Sequence, residues 1–197
     1  MKNVKIRQAK EEDSATIAKL IYYTEVVPEE VWGGSTKEEC ISNIEVLIKT
    51  KESKYSFEYI TVAEVSNKVV GAIVLIPYNE LERLNINTDL KVIHNFKGIK
   101  EKIYFIMDCI KLMICKECKK GDLYIANIAT SASVRGMGVG KLLMDYAEKV
   151  AQKDDYYGIS LLAKDEEVSE FYKKLNYKTI FDKVFLGERI IRMAKFV

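Results

Sequence analysis

The chain has 197 residues, 48% hydrophobic and 30% charged, which is the makeup of an ordinary globule with one full core and little room for two domains. Its 31 basic and 29 acidic side chains nearly cancel, so no strong field draws nucleic acid or an anionic membrane. No segment is apolar enough to span a bilayer or to act as a signal peptide, so the expectation is a cytoplasmic protein whose Cys40, Cys109, Cys115 and Cys118 are reduced thiols.

In chain order, Val4 to Gln8 reads as a short strand. Asp13 then offers an N-cap to a helix with Ile17, Leu20, Ile21 and Thr24 on one face. A loop carrying Pro28, Trp32, Gly33 and Gly34 follows, in which Trp32 either lines a cleft or anchors the packing. Ser35 with Glu38 forms a capping box for a second helix, which buries Ile41, Ile44 and Ile48. Glu58 to Val65 and Val69 to Ile76 are β-rich runs joined by a hairpin turn at Ser66-Asn67-Lys68, and Pro77 ends the second.

Residues 78–121 form a mostly helical insert. Its clearest helix aligns Ile99, Ile103, Ile106, Ile110 and Met113, which implies a face packed on the core; the alternative is a wall or lid over a substrate site. The one histidine, His94, lies here with no serine or cysteine motif beside it, which argues against Ser-His-Asp and Cys-His chemistry. Cys115 and Cys118 have C-x-x-C spacing, but a closed zinc site needs two further ligands, so the expectation is two helix-end thiols and no metal.

After the insert come a strand from Asp122 to Thr130, a glycine turn, a helix through Leu142, Leu143, Tyr146 and Val150, and a strand from Tyr157 to Ala163. That order predicts a right-handed parallel βαβ unit. A short helix from Glu166 to Leu175 precedes a C-terminal hairpin, Tyr177 to Phe185 and Arg189 to Phe196, turning at Leu186-Gly187-Glu188. No linker or repeat interrupts the chain, so residues 1–197 are expected to form a single domain.

The glycine turn Arg135-Gly136-Met137-Gly138-Val139-Gly140 carries the chemistry. Each glycine at a helix start costs about 0.5–1 kcal/mol relative to alanine, so three together cost about 2 kcal/mol and call for a reason. Without side chains, the backbone can meet a ligand with several unpaired N–H groups and the positive helix end, and phosphate is the natural occupant. Arg135 and Lys141 bracket the turn and suit a diphosphate. A Walker A loop fails because Arg135 and Leu142 stand where glycine and Ser/Thr are needed, and a dinucleotide fingerprint fails at Lys141 and Leu143.

The run fits R-x-x-G-x-G, and here the sequence resembles the GNAT superfamily of acyl-CoA-dependent N-acyltransferases. The resemblance extends to Ile6-Arg7-Gln8-Ala9 with Asp13, to the strand Tyr124 to Thr130, and to Phe171-Tyr172-Lys173-Lys174-Leu175-Asn176-Tyr177 at a late helix-to-strand junction. It implies a mixed α+β fold: a mostly antiparallel central sheet with a splayed parallel pair, helices on both faces, and the helical insert before the cofactor-binding strand. It also implies that Ile128, Ala129 and Thr130 pair with the pantetheine arm of acetyl-CoA. The amides of Arg135, Gly136, Met137, Gly138, Val139, Gly140 and Lys141 would hold the diphosphate.

The implied function is acetyl transfer from acetyl-CoA to a primary amine of a small molecule or peptide, by direct attack in a ternary complex. A lysine-like amine is only about one part in a thousand neutral at pH 7, so a proton must be removed, and the departing thiolate benefits from a donor. Family resemblance assigns the donor role to Tyr172, with Phe171 beside it as core. Where some members carry a strand glutamate, this chain has Tyr124. Asp122, Glu64 or an acid between Glu25 and Glu30 could act through water, and none is assigned. Asp165, Val168 and Asn176 depart from the asparagine, alanine and glycine common in the family. The alternative function is a CoA-binding sensor or interaction module with little catalytic activity. The insert helix and the C-terminal hairpin are candidate surfaces for a homodimer.

Overall fold

The computed structural model describes residues 4–185 and 188–197. The turn expected at Leu186-Gly187-Glu188 lies outside the described residues, apart from the backbone of Glu188. Strands β1 (Val4–Gln8), β2 (Ile60–Val65), β3 (Lys68–Pro77), β4 (Leu123–Thr130), β5 (Gly158–Ala163), β6 (Lys178–Phe185) and β7 (Glu188–Phe196) form one sheet in the order β1-β2-β3-β4-β5-β7-β6. Every neighbouring pair is antiparallel except β4 and β5. The β2–β3 hairpin turns on Ser66 and Asn67 at φ 51° and 59°, the two left-handed residues that a tight hairpin of matching twist requires.

Helices cover both faces because the strands alternate. On β4, Tyr124 joins the cluster under α1 (Ser14–Tyr22), α3 (Lys37–Lys49) and α4 (Tyr78–Val92), with Ile17, Ile21, Ile44, Ile48 and Leu84. Leu123 and Ile125 join the opposite cluster under α6 (Val139–Lys153) and α7 (Glu166–Lys174), with Leu143, Met144, Ala147 and Tyr172. Trp32 is a packing anchor: it is buried on the first face, its ring edge-on to Tyr55 at 5.0 Å between centroids.

Several local expectations shift. Residues Pro28–Trp32, expected as loop, make a short helix α2 with the proline in its first turn, where its missing N–H costs nothing. The cap of α3 is Thr36 rather than Ser35: Thr36 accepts the Glu39 N–H, and Glu39 returns to the Ser35 N–H at 2.6 Å. Asp13 precedes α1 but does not cap it; its carboxylate accepts from Arg7 at 2.7 and 3.0 Å and from the Lys10 N–H at 2.8 Å, closing a short 3-10 turn. Arg7 also reaches Glu64 at 2.8 Å, so the opening strand and the first helix are locked by one guanidinium.

The largest correction concerns α5 (Ile99–Cys115). The apolar row expected to pack on the core is exposed: Ile99 78%, Ile103 52%, Ile106 43%, Ile110 47% and Met113 67%. The side turned inward carries Phe105, which stacks at a tilt on Phe96, and Lys111, only 3% exposed and paired with Asp108 at 2.7 Å. A shared face is a matter of period; which face is covered depends on the partner.

Candidate active site

Strands β4 and β5 run side by side only from Leu123 to Ile125, opposite Ile159 to Leu161. On the other edge of β4, Ile125 lies opposite Leu75 but Asn127 lies opposite Val74, which leaves Ala126 as an extra residue. A bulge of this kind bends its strand, and here it falls where β4 and β5 part. Ile128, Ala129 and Thr130 therefore keep their ladder to β3 and have no partner on the β5 side. The gap is a row of free peptide groups open to an extended ligand.

The glycine turn stands at the far end of that gap. Gly136 and Gly138 have φ of 76° and 77°, and a Cβ at either would meet nothing within 4 Å. Positive φ, not tight packing, makes them glycine, and the space beyond them is open. Arg135 N–H donates to Ala132 at 3.2 Å and Met137 N–H to Val134 at 3.1 Å, while the first bond into α6 runs from Leu142 N–H to Gly138 at 3.0 Å. That leaves the amides of Gly136, Gly138, Val139, Gly140 and Lys141 with no main-chain acceptor among the described residues. Two of the seven expected amides are thus already engaged. Val139 buries its side chain, so it has only its N–H to offer. Arg135 and Lys141 are exposed and form no ion pair among the described residues. The residues fit a diphosphate: free donors, a helix N-terminus, two available cations, and a floor that any side chain would fill.

Across the gap stands α7. A Cβ on Gly140 would lie 4.0 Å from both the Phe171 ring and the Thr130 methyl, so the glycine turn, the strand end and the late helix converge. Phe171, expected in the core, is 41% exposed here. Tyr172 beside it is buried between Phe171 and Tyr177, and burial alone pushes its hydroxyl pKa up to about 12. It therefore holds its proton across the neutral range. Two departures from the family pattern are conservative in effect: Asp165 caps α7 by accepting the Val168 N–H at 2.8 Å, and Asn176 takes the left-handed φ of 67° that glycine would.

The chain leaving α1 crosses the same gap. Asn127 donates to the Thr24 hydroxyl at 3.0 Å, and Lys164, just past β5, reaches the Thr24 carbonyl at 3.4 Å. Behind this crossing is a cavity of about 870 Å³ whose wall includes Glu25, Lys54, Asn85, Asp89, Glu117 and Lys164. The inner side of α5 lines it, so this helix of the insert walls a cavity and meets the core through Phe105, while α4 packs on the core. Burial raises the carboxyl pKa of Glu25 and of Asp89. Lys54 is held protonated: burial opposes its charge, but Tyr55, Glu117 and Asp89 outweigh that.

The acids weighed from sequence separate clearly. Glu64 is tied to Arg7, and Asp122 is 1% exposed at the start of β4 with its Oδ2 accepting from Ser160 at 2.6 Å. Glu25 faces the cavity. Sequence reasoning missed Glu117, whose Oε2 accepts the Tyr124 hydroxyl at 2.7 Å and whose Oε1 accepts from Asn85 at 2.8 Å. It sits inside the C-x-x-C spacing, where the two thiols drew attention instead. Cys118 turns its Sγ toward the carbonyls of Lys119 and Asp122, and no three His, Cys, Asp or Glu side chains group as metal ligands among the described residues. His94 is exposed on a helix end.

A mostly antiparallel sheet with one parted parallel pair, a bulged strand and a phosphate-ready helix terminus defines a GNAT-like fold. The model of the Acetyltransferase (GNAT) family matches residues 32–177, and the chain belongs to that family. It is similar to the crystal structure of an N-acetyltransferase from Staphylococcus aureus Mu50, with 26% identity over 97% of this chain and 100% of the other, at a TM-score of 0.73. A second acetyltransferase structure is 20% identical over 98% and 99% of the two chains, with a TM-score of 0.69. A polyamine N-acetyltransferase from Drosophila melanogaster is 12% identical over 99% and 100%, with a TM-score of 0.65; these last two bear on the fold alone. No curated protein sequence matches the chain. No helix among the described residues is long and apolar enough to cross a membrane.

Proposed function

We propose that the protein is an N-acetyltransferase that moves the acetyl group of acetyl-CoA to a primary amine by direct attack in a ternary complex. The observation that carries this reading is the set of five amides between Gly136 and Lys141 with no main-chain acceptor among the described residues, in a turn whose Gly136 and Gly138 face open space at the end of a strand with a free edge. Those amides, with Arg135 and Lys141, would hold the diphosphate, and the free edge of Ile128 to Thr130 would pair with the pantetheine amides. When bound, acetyl-CoA supplies the activated acyl group. Tyr172 keeps its proton at neutral pH and would give it to the departing sulfur. The acceptor enters from the opposite side, through the cavity behind Thr24. Four free thiols suit a cytoplasmic enzyme.

The test is isothermal titration with acetyl-CoA, followed by release of CoA thiol on adding amines. Micromolar binding with amine-dependent release supports the enzyme. Binding without release for any amine supports the sensor, and a folded protein that does not bind acetyl-CoA refutes both.

A further inference from the structure

Glu117 is where the polar groups of the large cavity converge. It is 9% exposed and on the cavity wall, and its two oxygens are fixed by Tyr124 at 2.7 Å and Asn85 at 2.8 Å. Both partners stand on regular elements, β4 and α4. Each carboxylate oxygen keeps a lone pair for a further donor. Asn85 gives its N–H to Glu117, and its own Oδ1 is buried with no donor among the described residues. A buried acceptor without a donor, beside an oriented carboxylate, asks for an N–H from a ligand. Asp89 and Lys54 are on the same wall, where the Lys54 ammonium feels the charges of both Glu117 and Asp89.

The position suits the reaction. Tyr124 lies two residues before Ala126, about 7 Å along the strand, and β4 and β5 part at Ala126. No residue of β4 is a carboxylate, and Glu117 reaches the Tyr124 hydroxyl from the segment after α5. Resting on the acetyltransferase reading above, we propose that Glu117 is the catalytic carboxylate of the acceptor site, binding a primary alkyl amine as its ammonium and taking one of its protons. Tyr124 and Asn85 are positioning residues.

The step balances. Glu117 takes one proton from the ammonium, and the freed nitrogen lone pair forms the C–N bond to the acetyl carbon. The C–S bond breaks, and Tyr172 protonates the sulfur. The second nitrogen proton leaves as the amide forms and returns to Tyr172 through water. Glu117 sheds its proton to solvent, so each turnover releases CoA thiol, the N-alkyl acetamide and one proton.

The experiment measures CoA thiol release with butylamine, phenethylamine and putrescine, beside acetyl-CoA titration and thermal melting of each variant. Glu117→Gln is expected to lower kcat/KM for the accepted alkyl amine by at least about 100-fold, with acetyl-CoA affinity within about twofold. Methoxyamine, neutral at pH 7, needs no proton removed before attack, so its rate should fall by less than about threefold. Tyr124→Phe should cost about tenfold, and the double variant should be no slower than Glu117→Gln alone. A folded Glu117→Gln variant with alkyl-amine turnover near wild type, or with equal losses on alkyl amines and methoxyamine, overturns the assignment. Wild type that binds acetyl-CoA but acetylates none of the three amines overturns the acceptor class. Wild type that fails to bind acetyl-CoA refutes the transferase reading itself.

Discussion

Gly138→Asp separates the two properties that the glycine turn combines, backbone freedom and openness to an anion. Gly138 caps α6 at φ 77° and ψ 9°, in the left-handed region, where a side chain costs about 1–2 kcal/mol and aspartate is among the better tolerated. In a chain of this size that corresponds to a loss of about 2–8 °C in Tm, which leaves a folded protein. No steric cost is added, because a Cβ there meets nothing within 4 Å. The new carboxylate stands in the proposed diphosphate cradle; at about 5 Å and an effective dielectric constant of about 20, each charge pair costs about 3 kcal/mol. Acetyl-CoA affinity should therefore fall by at least about 100-fold, and part of the loss should return at high salt. Gly138→Ala carries at least as much backbone strain without the charge and should lose less than about tenfold. Isothermal titration of the three proteins, each checked by circular dichroism, gives the comparison. A folded Gly138→Asp protein that binds within about threefold of wild type would refute the cradle.

Tyr172→Phe should lower kcat by at least about tenfold while leaving acetyl-CoA affinity nearly unchanged, and an unaltered rate removes Tyr172 from the chemistry. Alkaline stability follows from burial, which raises Tyr172, Tyr55 and Cys118 each to about 12. Folding favours their neutral forms, so this stabilisation is complete below the unfolded values of about 8.5 for cysteine and about 10 for tyrosine and is lost as pH rises from there toward 12. Tm should fall steadily above pH about 9, and a flat Tm to pH about 11 would contradict it. Asp13→Asn should cost about 1–3 kcal/mol at pH 7, read as a lower urea midpoint, because Arg7 loses its bidentate partner. The Arg7 hydrogen bonds hold the Asp13 carboxyl below its ordinary range, so its contribution is present above that range and lost as pH falls through the depressed value; wild type and variant should converge in acid.

Features with a local cause could be read from the sequence. The glycine turn costs too much to be incidental, Ser66-Asn67 supplies the left-handed pair a hairpin needs, and the apolar run along Asp122 to Thr130 marks a strand buried on both faces. Features set by a distant partner could not. The apolar period of α5 correctly groups Ile99, Ile103 and Ile106, yet Lys111 is the residue that buries, because its charge finds Asp108 while its stem fills the wall. Thr36 rather than Ser35 caps α3 because the Glu39 carboxylate reaches back to the Ser35 N–H. Nothing about Asn85, Glu117 and Tyr124 in sequence announces a cluster; one comes from α4, one from the segment after α5 and one from β4.

That division explains why the cofactor half of the site is legible and the acceptor half is not. The proposed phosphate cradle is made of consecutive residues at one strand-to-helix turn, so its chemistry is written in one short run, Arg135 to Lys141. The wall of the proposed acceptor cavity is assembled from the α1–α2 crossing, α4, α5 and the segment before β4, and the sheet brings them together only once it has formed. The bulge at Ala126 joins the two proposed halves: it falls where β4 parts from β5, leaving a free strand edge next to the glycine turn and a gap next to the cavity. A change that restores regular pairing there would close both halves at once, whereas a change at Gly138 or Glu117 touches one. Independent loss of acetyl-CoA binding in one variant and of amine turnover in the other is therefore the behaviour this architecture requires.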